Sequence, residues 1–484
     1  MTVSNNKKKT KFENKQNASL KKISEVFNKL KRRKESVKSQ KAKSIIEKGT
    51  QKEHKHLGKA NTYSSYQRYE TQMKSFFKEL GVSDLKEITP QLIENYVQKE
   101  IELFKTPIIV EHNGVKEEIY PKEHLEAAER LNNNLSALKS FQLGIETTNV
   151  LGVNAKKSVD FGDIQKFRDM ATEAKVFRAK GGSSWLNPDN RQCRTLKDRL
   201  NKEAAETKNP LDQMAADFVK YQLITGARPQ NGIKQTKDSF IKNSDGSMYV
   251  VHKKDKGDKT RVVKITDKDD VKFLEDLIGK HDDFRVFRGY KQNGGYMSAD
   301  SLLKRIGEKV KEQSSDIKGE SKVKVKGNKQ EYTVKTEYKL HSNRKNYATN
   351  ETIRYYNHFM KNPRETEKRI EMAIEERHKM EKEVYEKFKK EIPNPNKSQQ
   401  KFLDGLKPTT KAKYKALVHQ QNERNRKNAE KRGDKNYKKV KNLSSENASK
   451  FLASVCLGHA RVDVVNDSYL NFDTWNKVLA KYKK

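Results

Sequence analysis

Between residues 62 and 145 apolar side chains return at intervals of three and four. Tyr66, Tyr69, Met73, Phe76, Phe77 and Leu80 make one such stripe, which predicts an amphipathic helix closed by Gly81 in the C′ position. Leu92, Ile93, Tyr96 and Val97 predict a second helix after Thr89-Pro90, and Leu125, Leu131, Leu135, Leu138 and Phe141 a third or fourth. These stripes need one another to be buried, so the segment reads as a small helical bundle. Within it, Ile108 to Val110 and the run ending at Tyr120 flank Asn113-Gly114, a two-residue hairpin signal.

Further on the period changes. Residues 146 to 205 read as a polar connection with some helix; Met214, Phe218, Tyr221 and Ile224 then predict a buried helical face ending at Thr225-Gly226-Ala227-Arg228. Ser239 to Lys242, Met248 to His252 and Thr260 to Ile265 are alternating or β-branched runs separated by polar turns, which predicts a three-stranded antiparallel meander. Leu302, Leu303 and Ile306 begin another helix, and residues 321 to 337 read as a second hairpin around Gly327-Asn328. The fold class expected is α+β and mostly helical: a helical domain plus a mixed domain with a small antiparallel three-stranded sheet.

Two segments are too polar for a core of their own. In residues 1 to 60, 19 Lys/Arg stand against 5 Glu, so this stretch reads as a basic arm. Ile23, Val26, Phe27 and Leu30 place one short amphipathic helix inside it, expected to touch DNA or a partner. From 361 to 445, Ile370, Ala373, Ile374, Met380, Val384 and Phe388 support a long charged helix stopping near Pro393-Asn394-Pro395, followed by a very basic stretch. A solvated helical excursion is the plain expectation; a segment that tracks DNA or contacts a subunit is the alternative.

Charge narrows the class of partner. At 484 residues the chain holds two or three domains, and its net charge of +39 attracts polyanions, either nucleic acid or an anionic membrane. No run approaches the roughly 18 apolar residues of a membrane span, which favours nucleic acid. With no apolar leader and two isolated cysteines, Cys193 and Cys456, a reducing cytoplasm without structural zinc is expected.

Candidate chemistry lies in the second half, in the order Arg228, Lys256, His341, Arg344, His459, Tyr469. Singly, each has an ordinary structural reading: Arg228 as a helix-terminal cation, Lys256 as a turn lysine, Tyr469 as a core tyrosine beside Leu470. Together they lie in four ordered motifs: Leu223-Ile224-Thr225-Gly226-Ala227-Arg228, Asp255-Lys256-Gly257-Asp258-Lys259-Thr260-Arg261-Val262-Val263, His341-Ser342-Asn343-Arg344 continued by Tyr347-Ala348-Thr349, and Leu457-Gly458-His459 followed ten residues later by Tyr469. From about residue 62 onward this resembles the tyrosine recombinase (phage integrase) family, with the bundle similar to its core-binding domain. The sequence departs from the family pattern at Asn231, where an acidic residue is common, at Asn466, where threonine often stands, and in the long interval from Arg344 to His459.

The resemblance implies a basic arm (1–60), a helical core-binding domain (61–150) and a catalytic domain (151–484) with an insertion at about 361–445 and a tail helix at 471–484. It implies a site-specific recombinase of double-stranded DNA, set in the integration or excision of a mobile element and nucleoid-associated in the cytoplasm. The tail helix, with its stripe of Phe472, Trp475, Val478, Leu479 and Tyr482, would join a homotetramer. Arg228 and Arg344 would hold the scissile phosphate through bidentate guanidinium forks. Lys256, with Lys259 as runner-up, would protonate the leaving 5′ oxygen. His341 and His459 would position the phosphate and assist proton movement, and Tyr469 would attack. No metal or other cofactor is expected. A type IB topoisomerase-like nicking-closing enzyme and a DNA-binding architectural protein with a decayed site are the rival readings.

Overall fold

The first stripe forms α2 (Tyr63–Glu79), ended by Gly81 with φ +69°. Thr89 caps α3 (Pro90–Lys105) by accepting from the Leu92 N–H, and Pro90 takes the first turn, where its missing donor costs nothing. The leucine stripe is a single long helix, α4 (Lys122–Thr147), and residues 10–30 form α1. The hairpin strands β1 (Ile108–His112) and β2 (Val115–Ile119) pair antiparallel with His112 opposite Val115; their Asn113-Gly114 turn lies outside the described residues. The computed structural model describes residues 10–30 and 63–482, apart from 107, 113–114, 120–121, 148–149, 153–158, 175, 177–178, 181–184, 256–258, 281–283, 292, 326–330, 435–436 and 438. The chain is α+β and mostly helical, in two units: residues 1–180 with 323–332, and residues 181–322 with 333–484.

In the first unit, α1 is part of the bundle. Ile23, Val26 and Phe27 are fully buried, and Phe27 stacks on Phe141 of α4 at 5.9 Å. At Gly144 an added Cβ would lie 2.4 Å from Val26 Cγ1, so glycine is what lets α1 lie this close to α4. The stripe expected to seek DNA or a partner is thus spent on the bundle, because an unburied apolar face finds the nearest apolar surface. Glu100, buried on α3, is matched by Arg130 of α4 through Nη2 at 2.9 Å, which sets how the two helices pair. A fifth helix, α5 (Ile164–Glu173), and the two-residue strand β3 (Ala179–Lys180) continue this unit.

The second unit is built on α6 (Asn190–Thr207), α7 (Pro210–Thr225) and a sheet of β4 (Phe240–Lys242), β5 (Met248–Asp255) and β6 (Lys259–Ile265), with β5 central and both pairings antiparallel. Alternation assigns its faces. Met248, Val250, Val263 and Ile265 enter the main core with Phe218 and Tyr221 of α7. Ile241, Tyr249, Val251 and Val262 face the other way, which would leave an apolar sheet surface in water.

The 361–445 segment covers that surface. After α9 (Lys268–Gly279), α10 (Ala299–Gln313), the strands β7 (Lys318–Val325) and β8 (Glu331–Glu337) and the helix α11 (Leu340–Met360) come α12 (Thr366–Glu391), α13 (Lys397–Leu406) and α14 (Thr410–Lys431). Met380, Val384 and Phe388 of α12 and Leu403 and Leu406 of α13 pack on Tyr249, Val251 and Val262. Buried Arg377 donates from Nη2 to Val262 O at 2.7 Å, and a Cβ on Gly405 would meet Thr260 Oγ1 at 2.8 Å. The expected solvated excursion is instead the outer wall of the sheet. A short α8 (Pro229–Gly232) follows α7, and α15 (Ser445–Cys456), α16 (Val462–Ser468) and α17 (Phe472–Tyr482) close the chain. Trp475 of α17 is buried within its own unit, edge-on to Tyr356 at 5.0 Å, while Phe472 stays exposed.

Candidate active site

Two helix ends make the frame of the site. Helix α7 stops at Gly226, whose φ of +60° suits glycine; a Cβ there would sit 2.3 Å from the Tyr347 ring. Helix α15 stops at Leu457-Gly458, with Gly458 at φ +77°. Helix C-termini present unpaired carbonyls and a partial negative charge, and these hold two buried guanidiniums. Arg344, on α11, donates to Gly226 O and, at 2.6 Å, to Leu457 O. Arg261, on β6, donates from Nη1 to Thr225 O at 3.0 Å and Cys456 O at 2.8 Å. The glycines of the first and last motifs therefore serve the arginines as much as the turns.

Arg228 leads out of the α7 end as the N-cap of α8, extended at φ −66°, ψ 140°. Its guanidinium pairs with Asp255 and lies 2.7 Å from His459 Nε2. Asp255 Oδ2 also accepts from Arg261 Nε at 3.3 Å. Burial pushes the Asp255 carboxyl up, but Arg261, Arg344 and Arg228 overcome this and hold it well below the usual carboxylate range. Asp255 thus holds the Arg228 guanidinium, while Asn231 Nδ2 donates to Lys253 O at 2.6 Å. At Asn466, the other departure, Oδ1 accepts from Lys450 Nζ at 3.2 Å.

Sequence reasoning quoted Asp255 and Arg261 but gave them no role. The signal was the strand period: His252 and Arg261, directly opposite each other, continue the inward face of Met248, Val250, Val263 and Ile265. A charge on an apolar face demands a partner. Burial and the neighbouring Arg261 push the His252 imidazole well below its ordinary value, so it is neutral.

The remaining side chains close on the same place. Tyr469 ends α16, with its carbonyl accepting from Thr349 Oγ1 at 3.2 Å, so one turn of α11 anchors it while another carries Arg344. The Arg344 guanidinium carbon is 5.6 Å from the Tyr469 ring centroid; the rings of His341 and His459 lie 5.8 and 6.0 Å from it. Burial, then Arg344, lowers the His341 imidazole to about 3, which leaves it neutral at physiological pH. Burial also lowers Arg344 to about 10, with Arg261 adding to the effect.

Arg228, His341, Arg344, His459 and Tyr469 therefore share one site. Lys256, with Gly257 and Asp258, lies outside the described residues, as does the Lys259 side chain. Among the described residues three guanidiniums act on one carboxylate, Asp255, and Arg344 Nε has no hydrogen-bond partner. Such a buried cationic excess binds an anion with trigonal or tetrahedral oxygens. Among the described residues no three His, Cys, Asp or Glu side chains group to hold a metal, and no helix is long and apolar enough to cross a membrane.

No family model matches the chain, and no curated protein matches it. Among solved structures the chain is similar to the XerH site-specific recombinase bound to palindromic difH substrate in a post-cleavage complex, at 13% identity over 60% of this chain and 68% of that one, with a TM-score of 0.34. It is also similar to the Tn1549 transposon integrase in complex with circular intermediate DNA, at 13% identity over 64% and 84% of the two chains, with a TM-score of 0.28. Likenesses this loose leave the functional reading to the chain's own side chains.

Proposed function

We propose that this chain is a site-specific DNA recombinase of the tyrosine recombinase type, cutting and rejoining strands through a 3′-phosphotyrosine. The observation that carries the reading is the meeting of a phenol with three guanidiniums and two imidazoles in one buried, cation-rich site. Arg228 and Arg344 bind the non-bridging oxygens of a phosphodiester, where charge gathers during in-line attack. Tyr469 Oη attacks phosphorus and gives up its proton as the P–O5′ bond breaks. The departing 5′ oxygen takes a proton from Lys256 and leaves as a hydroxyl. The new P–O bond to tyrosine keeps the energy of the old one, so the reverse attack by a 5′-hydroxyl needs no nucleotide cofactor. His341, kept neutral by its burial, and His459 hold the phosphate and take up the proton that Tyr469 gives up.

Double-stranded DNA is the partner that the charge of +39 fits. Integration or excision of a mobile element is the setting proposed. Assembly is proposed as a tetramer in which α17, held by the single deeply buried side chain Trp475, is exchanged between subunits.

The test is a nicked suicide duplex on which religation is blocked. The wild-type chain should become covalently attached to the 3′ phosphate, with the adduct mapping to Tyr469 by mass spectrometry; Tyr469→Phe should bind the duplex and form none. An adduct that persists in Tyr469→Phe removes the tyrosine from its role. Exchange of strands between two duplexes, rather than relaxation of one, separates a recombinase from a topoisomerase-like enzyme.

A further inference from the structure

One surface loop places its aromatic residues outward. Residues 280–298 join α9 to α10, and the part from 284 to 297 carries Phe284, Tyr290 and Tyr296, three exposed aromatics within a short stretch, at 59%, 52% and 54% exposure. The same stretch holds Arg285, Arg288 and Lys291 and no Asp or Glu. Its root is rigid: Val286 and Phe287 are buried, and Phe287 packs on Phe218 at 5.0 Å and Tyr221 at 5.4 Å. Val286 N–H donates to Gln235 O at 3.1 Å, and Lys237 N–H to Phe284 O at 3.0 Å. These bonds fix the loop to Gln235 and Lys237, beyond the short helix α8 that Arg228 caps.

The outer part is ordered too. Tyr290 and Tyr296 face each other across an antiparallel bridge with ring centroids 5.3 Å apart, and Lys291 N–H donates to Gly295 O at 2.7 Å. The Arg288 guanidinium lies 3.8 Å above the Tyr296 ring. Flat π faces backed by a stacked guanidinium, with Arg285 and Lys291 in the same stretch, are what an unstacked base and its phosphate require. Bases paired inside a duplex do not offer their faces, so a continuous helix would meet only the cations.

We propose that Tyr290 and Tyr296, backed by Arg288, are a stacking platform for unpaired bases of the DNA that the chain binds. This rests on the reading that the chain acts on DNA, and adds to it a preference for locally opened strands. The test is fluorescence anisotropy with two labelled duplexes of one sequence, one continuous and one with a short single-stranded gap. Wild-type protein should bind the gapped duplex more tightly. The double variant Tyr290→Ala, Tyr296→Ala should lose about fivefold or more on the gapped duplex, the least expected from stacking worth about 1–3 kcal/mol per base. On the continuous duplex it should stay near wild type.

Tyr290→Phe, Tyr296→Phe keeps both ring faces and should retain the preference. Equal losses on both duplexes, no loss on either, or a change in sedimentation in place of a change in gapped-DNA affinity would overturn the proposal. Binding is read without cleavage, so failure of the phosphotyrosine reading in the suicide-substrate assay leaves this measurement intact. Wild-type protein that binds neither duplex would overturn both.

Discussion

Replacing Asp255 by Asn leaves the shape of the site intact and removes the carboxylate that Arg228 and Arg261 share. In the wild-type protein Asp255 is 4% exposed and joins Arg228 on one side to Arg261 on the other. Removing one partner of a buried ion pair costs about 3–5 kcal/mol, because the remaining charge is stranded. At about 2 °C per kcal/mol, the lower end for larger domains, Tm should fall on the order of 6–10 °C. Cleavage should slow about 10²- to 10³-fold, as for the loss of one preorganised donor, because Arg228 is no longer held beside His459. DNA affinity should hold or rise, since a negative charge has left an anion site. Melting, covalent adduct formation on the suicide duplex and anisotropy separate the three effects. The pH dependence gives a further check. The folded carboxyl is held below its unfolded value of about 3.9, so its stabilisation is complete above that value and lost as pH falls through the folded pKa. The two proteins should differ at neutral pH and converge in acid. An Asn variant that melts and cleaves like wild type would refute the clamp.

Phe27→Ala should destabilise the first unit by about 3–5 kcal/mol, the usual cost of deleting a buried ring, read from chemical denaturation; a change under about 1 kcal/mol would mean that α1 is not docked. His341 is held at about 3 in the folded protein, against about 6.5 when unfolded. Between those values the unfolded chain binds more protons, so stability rises with pH and His341→Asn should flatten that slope; an imidazole titrating near 6.5 in the folded protein by NMR would contradict it.

Local pattern was enough for much of this molecule. The Tyr66 stripe, the Thr89-Pro90 start and the alternation in β5 and β6 all specify backbone that the structure contains, because period and capping act within a few residues. What remained hidden depends on distant partners. The Ile23–Leu30 stripe has the same period whether it seeks DNA or Phe141, and only tertiary packing decides. The polar 361–445 segment carries just enough apolar positions to cover Tyr249, Val251 and Val262, and the clue was on the sheet, which is apolar on both faces. Asp255 shows the same limit: a carboxylate beside Lys256 reads as turn chemistry until Arg228 and Arg261 are brought to it. The motif arginines and Tyr469 were legible because their spacing and order were distinctive even when no single one was.

The carbonyl cradle also dictates when the site comes into being. Arg344 relies on an acceptor 113 residues further along, and Arg261 on one 195 residues further. Contacts so far apart in sequence form late, after the intervening chain has been made and ordered. During synthesis the guanidiniums emerge well before the phenol and before the Cys456 and Leu457 carbonyls that hold them. The complete constellation around Tyr469 is thereby reserved for chains that have finished folding.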